Sequence, residues 1–275
     1  MAIVENKTLA EHQDYVEQMC RLSFFTARRL KDQTPDEPVS ELLRKHTPLF
    51  LHALNCLDYE THWHNPGCMR IAARADELAG LPAPEFEERM YADTRGFAME
   101  RAERFYPKSV GMPGYLPEDW NVGSLKYDLP KKDLPPSYCN FHIANALAPR
   151  SIYDDPAHLP ACFMKLMDES EKEYGYDTLH TGTWLNDTPR WLALFPQEWI
   201  NNLSERSDWF GWHFGYWGQL VTGRGTFNAK AGLYVREHVL LKYKCRGSRC
   251  SFSAMRRHLD NLGKSKEACN ATVPA

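Results

Sequence analysis

The chain has no long apolar run. No stretch of its 275 residues approaches the roughly 18 consecutive apolar positions of a membrane-spanning helix, which excludes that architecture. The opening MAIVENKTLAEHQDY lacks the charged start and apolar core of a secretory leader, so a soluble, cytoplasmic protein with no membrane partner is expected. The eight cysteines (20, 56, 68, 139, 162, 245, 250 and 269) then read as reduced and mostly buried, not as a disulfide framework. Two nucleotide cradles are also missing. There is no G-x-G-x-x-G, and Gly223-Arg224-Gly225-Thr226 lacks the ending of a P-loop, although it offers a backbone nest for an anion with Arg224 as its charge. Internal repeats and low-complexity runs are absent. The net charge is only −3, but it is unevenly spread. Between Arg224 and Lys266 eleven Lys/Arg face two acids, Glu237 and Asp260, a segment that suits either an anionic ligand or a solvated face.

The first 106 residues read as helical. Apolar spacing predicts helices over 9–31, 39–57, 69–78 and 84–106, with Pro48 kinking or splitting the second. Residues 107–137 are rich in Pro and Gly and read as a long connection or lid, with Tyr115 and Trp120 available to cover a pocket. Residues 138–263 form a mixed part with the basic segment, and 264–275 a tail, the whole as one compact body.

The chemistry concentrates between Tyr138 and Leu203. Two strand-like runs, 138–145 and 178–185, flank a helix over 159–174. This implies two parallel strands joined by a crossover. In the first run Cys139, Phe141 and Ile143 alternate with Asn140, His142 and Ala144, so one side is apolar and the other faces a cavity or solvent. His180 occupies the second run, with Gly182 permitting close approach of a ligand or a neighbouring backbone. Ligands of open α/β sheets gather at the carboxyl ends of such strands, which draws Asn145, Asp154, Thr183, Trp184 and Asn186 to one rim. Asp155 and Asp187, each shortly before a proline, suit helix caps, leaving Asp154 as the carboxylate free for function. Six tryptophans between 184 and 217 form an aromatic core or an apolar pocket wall.

The expected fold is therefore α+β and predominantly helical: a helical N-terminal half with a small parallel strand-helix-strand unit in the C-terminal half. The expected function is an enzyme acting on a small organic substrate by acid–base chemistry without a redox cofactor or metal: a lyase, isomerase or hydrolase. His142 and His180 are the acid and base and Asp154 the orienting carboxylate. Asn145, Thr183, Trp184, Asn186 and Arg224 contact substrate. Five alternatives stand beside it. Arg224 and the basic segment suit a transferase with a phosphate-bearing donor; His62 and His64 of THWHNPGC suit a metal-dependent enzyme. Residues 224–266 suit a nucleic-acid module, though nucleic acid is not the expected partner. Cys139 with a histidine suits a Cys–His nucleophile, and Cys245-x4-Cys250 with His238 and His258 loosely suits zinc.

Overall fold

The computed structural model of the chain describes residues 7–54, 65–112, 116, 120, 122–207 and 213–271, with side chains to 264 except that of 214. It divides into two compact units, Met1–Tyr115 with Asp208–Lys242 and Leu116–Ser207 with Tyr243–Ala275. The fold is α+β and mostly helical, with one four-stranded mixed sheet. No helix among the described residues is long and apolar enough to cross a membrane.

The first unit is helical. Its longest element, α1 (Leu9–Gln33), starts at a capping box: the Thr8 hydroxyl accepts from the Glu11 N–H, and the Glu11 carboxylate accepts from the Thr8 N–H at 2.7 Å. The buried Tyr15, Met19, Leu22 and Phe24 give α1 the stripe that packs on α4 (Ala83–Phe105), whose own stripe includes Phe86, Met90 and Ala98. Pro48 does split the second helical run. Regular α2 (Val39–His46) stops before it, and a π-helical turn, Leu49–Ala53, follows. Asn65 caps α3 (Pro66–Glu77) by accepting from the Gly67 N–H at 2.8 Å, with Pro66 at the first turn where its missing N–H costs nothing. In the second part of this unit, α8 (Phe214–Trp217) precedes α9 (Ala229–His238), and Arg236 of α9 forms a two-pronged bond to Glu87 of α4, both contacts 2.7 Å.

The second unit holds the sheet, ordered β1-β2-β3-β4 (Leu125–Tyr127, Tyr138–Ile143, Thr178–Thr183 and Arg246–Ser251). The strand-helix-strand reading holds: β2 and β3 are parallel neighbours joined through α5 (His158–Tyr174), which ends at Gly175 in the left-handed conformation, φ 70°. The outer strands pair antiparallel to them. Two of these elements depart from the sequence reading. β1 lies inside the stretch expected to be irregular, and β4 in the basic segment. Alternation puts Cys139, Phe141, Leu179 and Cys250 on one face, where α5, α6 (Pro189–Leu192), α7 (Gln197–Asn201) and α10 (Phe252–Ala271) cover them. The tryptophan-rich stretch contributes Trp191 and Trp199, both fully buried, and the rings of Phe195 and Trp199 stack at 4.2 Å. These two tryptophans are core.

Candidate functional site

The covered face takes one set of alternating side chains, so the other set must point away from the core. On that open face lie Asn140 and His142 of β2, His180 and Gly182 of β3, and Gly247 and Arg249 of β4. Cross-strand register sets Lys126 opposite His142, Asn140 beside His180, and Arg249 opposite His180.

Three of these polar groups join Asp128, which follows β1, in one continuous hydrogen-bonded chain. His180 Nδ1 lies 3.0 Å from Asn140 Oδ1 and donates to it, since an amide oxygen only accepts. Asn140 Nδ2 donates to Asp128 Oδ2 at 2.6 Å. His142 Nε2 lies 2.8 and 2.9 Å from the two Asp128 oxygens and donates to them. Lys131 Nζ completes the set, 2.6 Å from Asp128 Oδ2. The backbone fixes the carboxylate too: the Asp128 N–H donates to Asn140 O at 2.9 Å and Tyr176 Oη to Asp128 O at 3.1 Å.

These bonds decide protonation. Burial alone would raise the Asp128 pKa, but hydrogen bonds from His142, Lys131 and Asn140 outweigh it and hold the carboxyl well below its usual range. His180 moves the other way. Burial first, then the charges of Arg249 and Lys131, lower its pKa and favour the neutral ring. In both rings the nitrogen inside the chain carries a hydrogen, because its partner there can only accept. The lone pair of neutral His180 is left on Nε2, and Nδ1 is the His142 nitrogen at which a proton can be gained or lost. His142 is half exposed, with 49% of its side chain accessible, so a small molecule can reach it.

The two histidines come together as the alternation implies, but the other expected site residues are used elsewhere. Asp154 accepts from the Ser151 N–H at 2.9 Å and closes its own turn, so Asp128 is the carboxylate beside a histidine. Asn145 also closes a turn, donating to Arg150 O at 2.7 Å and accepting from the Leu147 N–H at 3.0 Å. Thr183 accepts from the Leu185 N–H at 3.2 Å, capping a short 3-10 turn, and Trp184 stacks on Tyr243 at 6.1 Å. Asn186 is fully buried and bonds four groups of the core. Arg224 belongs to the helical unit, where its guanidinium lies 3.0 Å from Glu11. Asp155 accepts from the Ala157 N–H ahead of α5, and Asp187 is taken up by Arg206 and the Lys244 N–H.

The remaining readings sort by location. His62, His64, Tyr115, Trp209 and Trp212 lie outside the described residues. Cys139 points into the core, opposite to His142, and burial pushes its thiol up to about 12, which removes the thiolate a Cys–His pair needs. Among the described residues no three His, Cys, Asp or Glu gather as metal ligands, Cys245, Cys250, His238 and His258 included. A cleft of about 410 Å³ between α3 and α4 is lined by Arg70, Arg74, Glu77 and Asp93 and by none of the expected site residues. Its Arg74 is satisfied by Asp93 and Glu77, each at 2.8 Å.

Asp128, Lys131 and Arg249 escape the sequence reading. Only Asn140 carried a signal, as the polar neighbour of His142 on an alternating strand. Compared with known proteins, the chain matches no family model, no curated protein and no solved structure.

Proposed function

We propose that the open face of the sheet is the active site of an enzyme that moves protons on a small organic molecule. The reaction class is lyase, isomerase or hydrolase. His142 is the general base. Its Nδ1 lone pair takes a proton from the substrate, or from a water that attacks it. The imidazolium so formed keeps its Nε2–H on Asp128, whose negative charge stabilises it and whose position fixes the ring. The proton then returns from Nδ1 to the product. His180 stays neutral and presents Nε2 as an acceptor that orients a substrate hydroxyl or amine. The observation that carries this reading is the unbroken chain His180–Asn140–Asp128–His142. Each imidazole there gives one ring N–H to the chain, which leaves its second nitrogen for a substrate.

The test is to incubate the purified protein with a mixture of cellular metabolites and follow depletion by mass spectrometry. One substrate class should be consumed, with a product of equal mass, of mass raised by water, or split in two. Replacing a general base typically costs about 10²–10⁴-fold in rate, so His142→Ala should lose that much. Asp128→Asn should lose much of it too, and the double variant little more than the worse single one, because the pair acts as a unit. Consumption of nothing, or equal consumption by His142→Ala, would refute the proposal.

A further inference from the structure

The open face has a bare patch whose composition identifies what fits it. Gly182 and Gly247 are paired directly across β3 and β4, so two adjacent positions on the His180 side of the sheet have no side chain. A Cβ at Gly182 would meet no described atom within 4 Å, and one at Gly247 only Ser204 Oγ at 3.7 Å. Neither glycine has a positive φ, so the backbone does not require them. Glycine weakens a strand interior, where a β-branched residue would fit and stabilise. The patch therefore forgoes stability for open space two positions from His180.

The wall of the patch is cationic. Arg249 is exposed, directly opposite His180 in register, and its charge is one of the causes that depress the His180 pKa. Its guanidinium has no ion pair among the described residues. The acids nearby are engaged: Glu198 accepts from the Ser251 N–H and hydroxyl, and Asp128 from His142, Lys131 and Asn140. A planar guanidinium with free N–H groups matches a carboxylate two-pronged.

We infer that the substrate is a small planar carboxylate, lying flat on the Gly182/Gly247 floor with its anionic group on Arg249 and its reacting atom toward His180 and His142. This rests on the acid–base reading above and names its substrate class. A polyanion is a poorer fit, because it needs a row of rings on which successive bases can stack, and beside His180 the described residues offer the single ring of Tyr138, 5.8 Å away.

The test uses backbone and imidazole NMR with a panel of planar carboxylates, benzoate and fumarate among them, each paired with its neutral amide. Inorganic phosphate and a single-stranded oligonucleotide serve as further probes. Carboxylates should shift the Gly182, Gly247 and His180 signals, and the matching amides should not. Loss of a hydrogen bond to a charged group weakens binding by about tenfold or more, which is the effect expected of Arg249→Gln. Gly182→Val should fold with unchanged or raised stability and lose the shifts. The assignment is overturned if no carboxylate shifts those signals, if amides or the oligonucleotide bind as well, or if Arg249→Gln binds unchanged. The two proposals fail separately. Turnover that depends on His142 but not on Arg249 overturns only the carboxylate seat. Carboxylate binding that depends on Arg249, with turnover indifferent to His142→Ala, overturns only the base.

Discussion

Replacing Asn186 separates a core role from a ligand role. Its Oδ1 accepts from both core indoles, Trp191 Nε1 at 3.0 Å and Trp199 Nε1 at 3.1 Å. Its Nδ2 donates to Arg246 O at 2.8 Å and Thr181 O at 3.3 Å. Asn186→Ala strands two indole N–H groups in a core that water does not reach. Each stranded donor costs about 1–3 kcal/mol, so the pair accounts for about 2–6 kcal/mol. Loss of the side chain's packing adds about 1 kcal/mol, and we expect a total of about 4 kcal/mol. Urea unfolding followed by tryptophan emission should show the midpoint falling by about 1–2 M. Trp199→Phe in the Asn186→Ala background removes one orphaned donor, and the cycle should return a coupling of about 1 kcal/mol or more. Asn186→Asp keeps the acceptor for both indoles but aims a buried charge at two carbonyls, so it should be no better than alanine. A midpoint shift below about 0.3 M would refute the reasoning. So would unchanged stability accompanied by lost substrate binding, which would return Asn186 to the ligand role expected from sequence.

Further predictions concern the helical unit. Glu87 is buried against Arg236, itself about a third exposed, so Glu87→Gln should cost about 2 kcal/mol, less than the 3–5 of a fully buried pair. Thermal melting checks it, and Glu87→Gln combined with Arg236→Met should recover part of the loss. His12 is held at about 4, below its ordinary 6.5, by burial first and then by the charge of Lys7, which lies 3.1 Å from its Nδ1. Between those values the unfolded chain binds the extra proton. The contribution is therefore complete above pH 6.5 and drains away as pH falls toward 4, by about 3 kcal/mol in all. Stability measured from pH 7 to 4.5 should decline accordingly, and His12→Phe should lessen the decline without abolishing it, because His52, held at about 3 by burial and then by the charges of His12 and Lys7, loses stability over the same range; a parent chain equally stable across that range overturns the assignment. Gly225→Ala should be severely destabilising, because φ is +76° there and a Cβ would lie 2.1 Å from Val110 O. A melting temperature for it within about 2 °C of the parent would contradict this close backbone crossing.

Elements with a strong period were legible in the sequence, and those without one were not. α1 and α4 carry long apolar stripes; β2 and β3 alternate cleanly. Three residues, Leu125–Tyr127, are too few to show alternation, which hides β1. β4 reads RGSRCS, and its inward positions include the small Ser248, which donates to Trp199 O at 2.6 Å, so its buried side does not look apolar. α10 runs through Gly263 to Ala271, into the stretch expected to be a tail, because one glycine costs a helix only about 1 kcal/mol. The same limits govern the site. His142 and His180 share a face because period-2 geometry puts them there. The sequence favours Asp154 as the orienting carboxylate because that residue has no obvious capping role. Its turn with Ser151 is a contact that only the folded loop reveals, and Asp128 follows the strand that was hidden.

A sheet covered on one side must be polar on the other, and this explains a scatter of Lys, Arg and His without any function. It does not explain how those groups are arranged. A solvated face gains little from surface ion pairs and has no need to order four side chains in a single relay. In this face the carboxylate is bonded by three side chains and two imidazoles are each fixed at one nitrogen. A guanidinium faces one of them without a counter-ion among the described residues, and beside it two glycines hold strand positions where larger residues would fit. Each feature gives up something a merely solvated sheet would keep: side-chain entropy in the relay, β-propensity at the glycines and charge balance at Arg249. A bound anion would restore the charge balance and fill the space at once. The proposed acid–base chemistry on a small carboxylate would account for both halves of the face, where solvation accounts only for its polarity.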